Sequence, residues 1–596
     1  MNKTRLAWIL VALLALVALG LRVRGIAHGL PMVLEQDCKI PRQVELLRSG
    51  TDEWRTDREF RWYPLFVAHV VKSSPAPQAA APDAPLASQL QAAAAPHIQS
   101  RLTVALLAVL AIPLTFLLAS WFLERRWALV AAAFVAFSLL HHNFSQQSRP
   151  HAVSCATFLA AVVAAVHLRH QGTTIRYGLA GAACAMALGT LHTGVLTLAT
   201  FVVAHFARRT YKSKWLEPRF FLALLLVALA LPVFYPFLFS SAAQESAESA
   251  ARNLGFDANT WTLYLGGHEI FLKQFLGRGI EPTFRSLVSY EPALLVLLVV
   301  AGVLVLPRLL RKPDDAPKFD TFTRRRDTWV VLSFVVPYAL LVLAYERTYE
   351  RFLLPLLPYL ALAAAFALRE LARALARRLP VFGDPAGQLG LAAAALALPA
   401  FGSWRLSEIR AAPHTTAVAA QWLSASAQPD QDIALWPGLE LPLARDLAKL
   451  GPWPGPKVPV EARFQWPWSR YQSLHPDLTG PEFATPERWS LRWMPAKPLQ
   501  MRNEPAAYVA EQAGALTVIE VFADNRTDPA GTRVREALQA SAERLVRISP
   551  DGPESESDHP LGYQEETSVP APLFLFRVLN ARRTGPVIEV YGPLRR

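Results

Sequence analysis

Glu35 and Asp37 stand one residue apart in the segment Leu30-Pro31-Met32-Val33-Leu34-Glu35-Gln36-Asp37-Cys38, just past the first long apolar run. A carboxylate at a lipid–water boundary can take a proton from a hydroxyl or amine nucleophile. In an extended segment, residues i and i+2 point to the same side, so both carboxylates would converge on one site. They could also share a hard divalent cation, given further oxygen ligands from elsewhere in the chain. The plain alternative is a pair of solvated loop charges.

Two further polar groups stand at the ends of apolar runs. The first is Ser145-Gln146-Gln147-Ser148-Arg149-Pro150-His151. Pro150 suits the first turn of the next helix, which puts His151 at that helix's positive end. Arg149 and His151 could hold an anionic or polar substrate group, or they could merely close two spans. The second is Tyr345-Glu346-Arg347-Thr348-Tyr349-Glu350-Arg351-Phe352-Leu353-Leu354-Pro355-Leu356-Leu357-Pro358. Arg351 sits at the mouth of the following span. Its guanidinium can grip a phosphate through paired hydrogen bonds, or snorkel as an interfacial anchor. Tyr349 beside it and His268, in an aromatic, glycine-rich stretch, are further binding candidates; Lys273, Arg278 and Arg285 could also meet a phosphate but read better as solvated surface charges. No P-loop, dinucleotide fingerprint, histidine-rich metal motif or Ser/His/Asp order is present.

The elements that must position these groups are membrane spans. The chain has 596 residues, 52% of them hydrophobic, and a mean hydropathy of +0.22. The apolar residues gather in runs long enough to cross about 30 Å of hydrocarbon. They cover residues 6–23, 102–123, 127–140, 152–168, 220–239, 293–306, 329–344, 353–368 and 389–401, with two short spans in 177–206 that break near Gly189-Thr190-Leu191-His192. Counted this way there are about eleven spans. The net charge of +13 does not point to nucleic acid. The Lys and Arg residues fall in short loops between alternate spans, the positive-inside pattern. That pattern places the N-terminus in the cytoplasm and, with an odd number of spans, the C-terminal region outside. The first span then acts as a signal anchor rather than a cleaved peptide. Three cysteines build no disulfide framework or metal-thiolate motif.

The expected organisation is a transmembrane module over residues 1–402 and a soluble α/β domain over 403–596. Within the module, residues 24–100 form a first external loop, with helical pieces near 42–48 and 63–71 and a mobile Ala/Pro-rich stretch over 74–95. Residues 240–289 form a second, with a helical start at 244–252 and an interface-lying aromatic section at 261–269. In the outer domain, 417–426 and 533–544 read as helices. Residues 432–436, 515–522, 573–578 and 587–591 read as strands.

In order and spacing, these pieces resemble the GT-C glycosyltransferases, in particular the protein-mannosyltransferase and lipid A aminoarabinose transferase group (glycosyltransferase family 39-like). That family carries an LP-x-x-x-x-x-D stretch after the first span, matched here by Leu30-Pro31 through Asp37. Its second acid after the Asp is replaced by Cys38, with Glu35 on the other side. Its S-x-x-x-x-P-D turn is matched by Ser145 through Pro150, with His151 in place of the acid. Its RYLLPLLPFLAL motif is matched by Arg351-Phe352-Leu353-Leu354-Pro355-Leu356-Leu357-Pro358-Tyr359-Leu360-Ala361-Leu362. The resemblance spans about residues 1–405. It implies a mainly α, GT-C-like helical bundle in a bacterial inner (plasma) membrane, surrounded by membrane lipids. It also implies an inverting transfer of a sugar from a polyprenyl-phosphate donor to a lipid, glycan or protein acceptor. Asp37 would be the base and Arg351, with Arg149, would hold the leaving phosphate.

Three other readings compete. A secondary transporter or lipid-handling protein would carry ionisable residues near the bilayer midplane, whereas these cluster at the outer rim. A polysaccharide polymerase or ligase would gather its basic residues in a late external loop. A degenerate GT-C relative would fit the departures at Cys38 and His151.

Overall fold

The computed structural model describes residues 3–33, 35, 37–50, 63–208, 217–239, 256–257, 261–265, 268–310, 318–443, 467–475, 489–521, 529–562 and 573–594. Six helical segments among them are long and apolar enough to cross a membrane: Thr4–Val23, Leu86–Ala119, His151–His170, Arg326–Ala344, Glu350–Ala376 and Pro385–Ser426. Two bent pairs bring this to as many as eight: Arg125–Phe137 with Leu139–Ser145, and Ile280–Tyr290 with Pro292–Leu304. The apolar helices His192–Phe206 and Pro218–Phe234 are shorter. The chain is an integral membrane protein, mainly α-helical.

The chain divides into two compact units: residues 1–23, 39–75 and 100–404 form one, and residues 24–38, 76–99 and 405–596 the other. In the first unit, the helix His151–His170 is buried along nearly its whole length. Its small residues Ala152, Ala156, Ala161 and Ala165 let neighbouring helices approach closely. By contrast, Leu10, Leu13 and Leu16 of the first helix remain exposed, as suits a lipid-facing surface. The expected break inside 177–206 falls at a 3-10 turn, His192–Val195, between the helices Thr174–Thr190 and Leu196–Phe206.

Two other breaks are tied together. The pair Arg125–Phe137 and Leu139–Ser145 bends by 49° at Ser138, and the pair Ile280–Tyr290 and Pro292–Leu304 bends by 118° at Glu291. Ser138 Oγ donates to Glu291 Oε1 at 2.5 Å, and the Leu140 N–H donates to the same oxygen at 3.0 Å. A broken helix frees backbone donors that hydrocarbon cannot satisfy, and Glu291 supplies an acceptor.

Residues 256–271 contain a small antiparallel sheet of β1 (Phe256–Asp257), β2 (Thr262–Leu265) and β3 (His268–Phe271). The helix expected at 244–252 lies outside the described residues.

In the second unit the sheet order is β5-β4-β6-β8-β7, built from β4 (Gln431–Leu435), β5 (Trp489–Trp493), β6 (Leu516–Val521), β7 (Arg544–Ile548) and β8 (Val587–Tyr591). Its first three strands run parallel; β8 follows antiparallel to β6, and the edge strand β7 pairs antiparallel with β8. Helices Thr415–Ser426 and Pro529–Ser541 accompany the sheet. Two expectations change. Residues 573–578 were expected to be a strand, but they lie in the helix Phe574–Asn580. Burial of Phe574, Leu575, Arg577 and Val578 follows the i, i+1, i+3, i+4 spacing of a helix face. Residues 86–95 of the stretch expected to be mobile belong to the helix Leu86–Val109, which continues through Pro96. Ala, Leu and Gln are strong helix formers, and this outweighs the low complexity.

One buried carboxylate organises the sheet's far edge. Glu589 accepts hydrogen bonds from Arg535 at 2.7 and 2.9 Å, Arg547 at 2.5 Å, Arg544 at 3.1 Å and the Tyr591 hydroxyl at 2.6 Å. Burial alone would raise its pKa, but these partners outweigh burial and hold it down at about 2.

Candidate functional site

In the first unit the turn at Ser145–His151 is set by the end of the first helix. Arg22 is fully buried and donates to the carbonyls of Ala18 at 2.9 Å and Ala136 at 3.0 Å. Its Nη2 lies 2.9 Å from His141 Nδ1, and Gln146 Nε2 donates to the Arg22 carbonyl at 2.6 Å. His142 Nδ1 lies 2.7 Å from Ser403 Oγ. These bonds fix the polar segment that delivers Arg149 and His151.

The 3-10 turn Glu350–Leu356 packs against the helix His151–His170. It brings Arg351 to the histidine across some two hundred residues of sequence. The His151 ring stacks on that of Phe352, with 6.0 Å between centroids, and meets Tyr63 edge-on at 5.6 Å. The Arg351 guanidinium lies 4.3 Å from the centre of the Tyr349 ring and 5.4 Å from that of Phe352. Such cation–π contacts hold a guanidinium in place. Arg149, His151 and Arg351 are each buried, at 2%, 4% and 6% exposure, and so is Glu350. Buried guanidiniums favour anionic groups around them, and Glu350, in the same 3-10 turn as Arg351, is a buried carboxylate.

Four of the sequence candidates, Arg149, His151, Tyr349 and Arg351, are therefore neighbours. Tyr63 and Phe352 join them without having been singled out. Tyr63 lies between the first helix and the helix Leu86–Val109, and its carbonyl accepts from Gln43 Nε2 at 2.8 Å. Its place beside His151 has no signal in local spacing. His268 begins β3, and its side chain lies outside the described part of the structure.

Glu35 and Asp37 belong to the second unit. Asp37 is exposed and has a left-handed backbone, φ 56°. Asp is one of the few residues that tolerates this conformation. Glu35 is buried, at 8% exposure. The segment is thus not extended at Asp37, and the two carboxylates differ in environment instead of presenting one face. Among the described residues, no group of three or more His, Cys, Asp or Glu side chains could hold a metal ion.

No family model matches the chain, and no curated protein matches it. Among solved structures, it is similar to the archaeal oligosaccharyltransferase AglB from Archaeoglobus fulgidus in complex with an inhibitory peptide and a dolichol-phosphate. That likeness covers 94% of this chain and 75% of the other, at 13% identity and a TM-score of 0.45. ArnT from Cupriavidus metallidurans bound to undecaprenyl phosphate is similar over 99% of this chain and 98% of its own, at 15% identity and a TM-score of 0.40. The arabinofuranosyltransferase AftD from Mycobacteria is similar over 98% of this chain and 40% of its own. Its identity is 16% and its TM-score 0.38.

Proposed function

We propose that the chain is an inverting membrane glycosyltransferase that moves a sugar from a polyprenyl-phosphate donor to an acceptor on the extracytoplasmic face. The reading rests on the GT-C-like motifs of the sequence. The structural observation that carries it is the buried group of Arg149, His151 and Arg351, built from two distant turns at the ends of apolar helices.

In this reading the Asp37 carboxylate accepts the proton of an acceptor hydroxyl as that oxygen attacks the anomeric carbon. The new C–O bond forms on the face opposite the bond that breaks, and polyprenyl phosphate leaves with the electron pair. Negative charge grows on the leaving phosphate, where fixed guanidinium donors stabilise it most. Arg351, oriented by Tyr349 and Phe352, and Arg149 supply those donors. The lipid-linked donor needs no nucleotide site, consistent with the missing P-loop.

The test is release of polyprenyl phosphate from a panel of undecaprenyl- and dolichyl-linked sugars by the purified protein, with Asp37→Asn as control. Release that disappears in the variant supports the reading. Equal release by the variant removes Asp37 as base, and no release from any donor with cell-envelope extract as acceptor removes glycosyl transfer.

A further inference from the structure

The loop that carries Asp37 is held by segments far from it in sequence. Within the second unit, residues 24–38 pack with residues 76–99 and 405–596. Arg24 pairs with Glu408 at 2.9 Å. Gly25, at φ 74°, runs so close to Arg410 that a Cβ there would stand 2.7 Å from its carbonyl carbon. Four backbone bonds wind the next residues into tight turns: His28 to Gly25, Leu30 to Ala27, and Met32 and Val33 to Gly29. Met32, at the end of the winding, is buried with Ala93, Trp468 and Tyr471. Gly29, also at φ 74°, has a backbone that a side chain would strain; a Cβ there would stand a tight 3.1 Å from the Val33 carbonyl oxygen and in ordinary contact, 3.7 Å, with His414 Nε2.

His414 is the shared element. Its Nδ1 accepts from the Thr416 N–H at 3.4 Å, capping the helix Thr415–Ser426. The other side of its ring faces two glycines. A Cβ on Gly585, φ 132°, would meet its Cε1 at 2.8 Å and its Nε2 at 3.0 Å. The ring therefore lies between the Asp37 loop and the residues leading into β8.

We propose that His414 is a positioning residue: wedged between Gly29 and Gly585, it makes the C-terminal unit part of the clamp that holds the Asp37 loop. The inference rests on Asp37 being the base. It assigns residues 405–596 a role in transfer itself, beyond any part in acceptor choice. A base displaced by about 1 Å can cost up to about a hundredfold in rate.

The test uses the full-length protein and two readouts. Cys38 adjoins Asp37 and is half-buried, whereas Cys155 and Cys184 are buried in helices. Maleimide labelling of Cys38 thus reports on the loop without requiring activity. The variants are Gly29→Ala and His414→Asn, the latter keeping a good helix cap while removing the ring. Both are expected to label severalfold faster than wild type. Both are also expected to lose about tenfold or more in kcat, with the donor KM within about twofold of wild type. Unchanged labelling in both variants would overturn the clamp. Wild-type labelling and kcat in His414→Asn would reduce His414 to a helix cap and overturn its positioning role. Faster labelling with unchanged kcat would overturn the link to catalysis. Wild-type protein inactive on every donor would sink the glycosyltransferase reading and the catalytic link with it, while labelling still decides the clamp.

Discussion

The Ser138 hydroxyl donates a 2.5 Å hydrogen bond to the Glu291 carboxylate, joining two helices at the residues where each one breaks. The first break opens into the segment that ends at Arg149 and His151, so the bond helps set where that segment begins. Replacing Glu291 with Ala leaves the Ser138 hydroxyl and the Leu140 N–H without this acceptor. An unsatisfied buried group costs about 1–3 kcal/mol. Thermal unfolding in detergent is expected to show a lower Tm for Glu291→Ala, and a smaller loss for Glu291→Gln, which keeps an acceptor oxygen. Equal Tm values across the three proteins would contradict this role.

Asp37 is exposed, so its carboxylate does little for the core. Asp37→Asn is expected to keep the wild-type Tm and expression while losing about 10²–10⁴-fold in turnover, the range of a general base. Rate and unfolding on the same preparation check both halves.

Arg351 is held over Tyr349 and Phe352. Arg351→Ala is expected to weaken donor use about tenfold to a hundredfold, as for a lost hydrogen bond to a charged group. Its effect on the acceptor KM should be smaller. Arg351→Lys is expected to recover little, because an ammonium lacks the planar fork. Steady-state kinetics with donor and acceptor varied separately decide it; a larger effect on the acceptor would count against a phosphate role.

Glu589 has a folded-state pKa of about 2, below the ordinary carboxylate value of about 4.3. A depressed folded pKa gives stability that is present above about pH 4.3 and is lost as the pH falls toward 2. Tryptophan fluorescence during acid titration is expected to show the C-terminal unit loosening in that window. Glu589→Gln should lower stability at neutral pH by about 1–3 kcal/mol, since Arg535 and Arg547 keep Asp558 and Arg544 keeps Glu556, and should flatten the acid dependence. A variant with the wild-type acid profile would refute the assignment.

Glu35 is buried and Asp37 exposed, an arrangement poorly suited to one hard cation needing several converging oxygens. Transfer is expected to continue unchanged in excess chelator. Loss of activity that Mg²⁺ or Mn²⁺ restores would bring a metal back into the site.

Much of this was legible before any coordinates. Runs of apolar residues mark the spans because hydrocarbon demands them locally, and the break near Gly189–His192 shows in the same local pattern. Arg149, His151 and Arg351 could be singled out because they stand at the alternate span ends, away from the loops that gather most of the Lys and Arg. The helix at 574–580 was not legible as such: a short apolar run suits strand and helix alike until its neighbours choose a face.

The sequence by itself determined that the chain crosses a membrane, where its polar ends lie and which side chains have the chemistry for phosphate and proton. Those properties follow from composition and short-range spacing. The tertiary structure alone decided that His151 stacks on Phe352 and meets Tyr63, that Glu291 joins two broken helices, and that His414 lies between Gly29 of the Asp37 loop and Gly585. Each of those contacts joins residues far apart in the chain, and such pairings are set by helix packing and close backbone approach, which leave no period in the sequence to read.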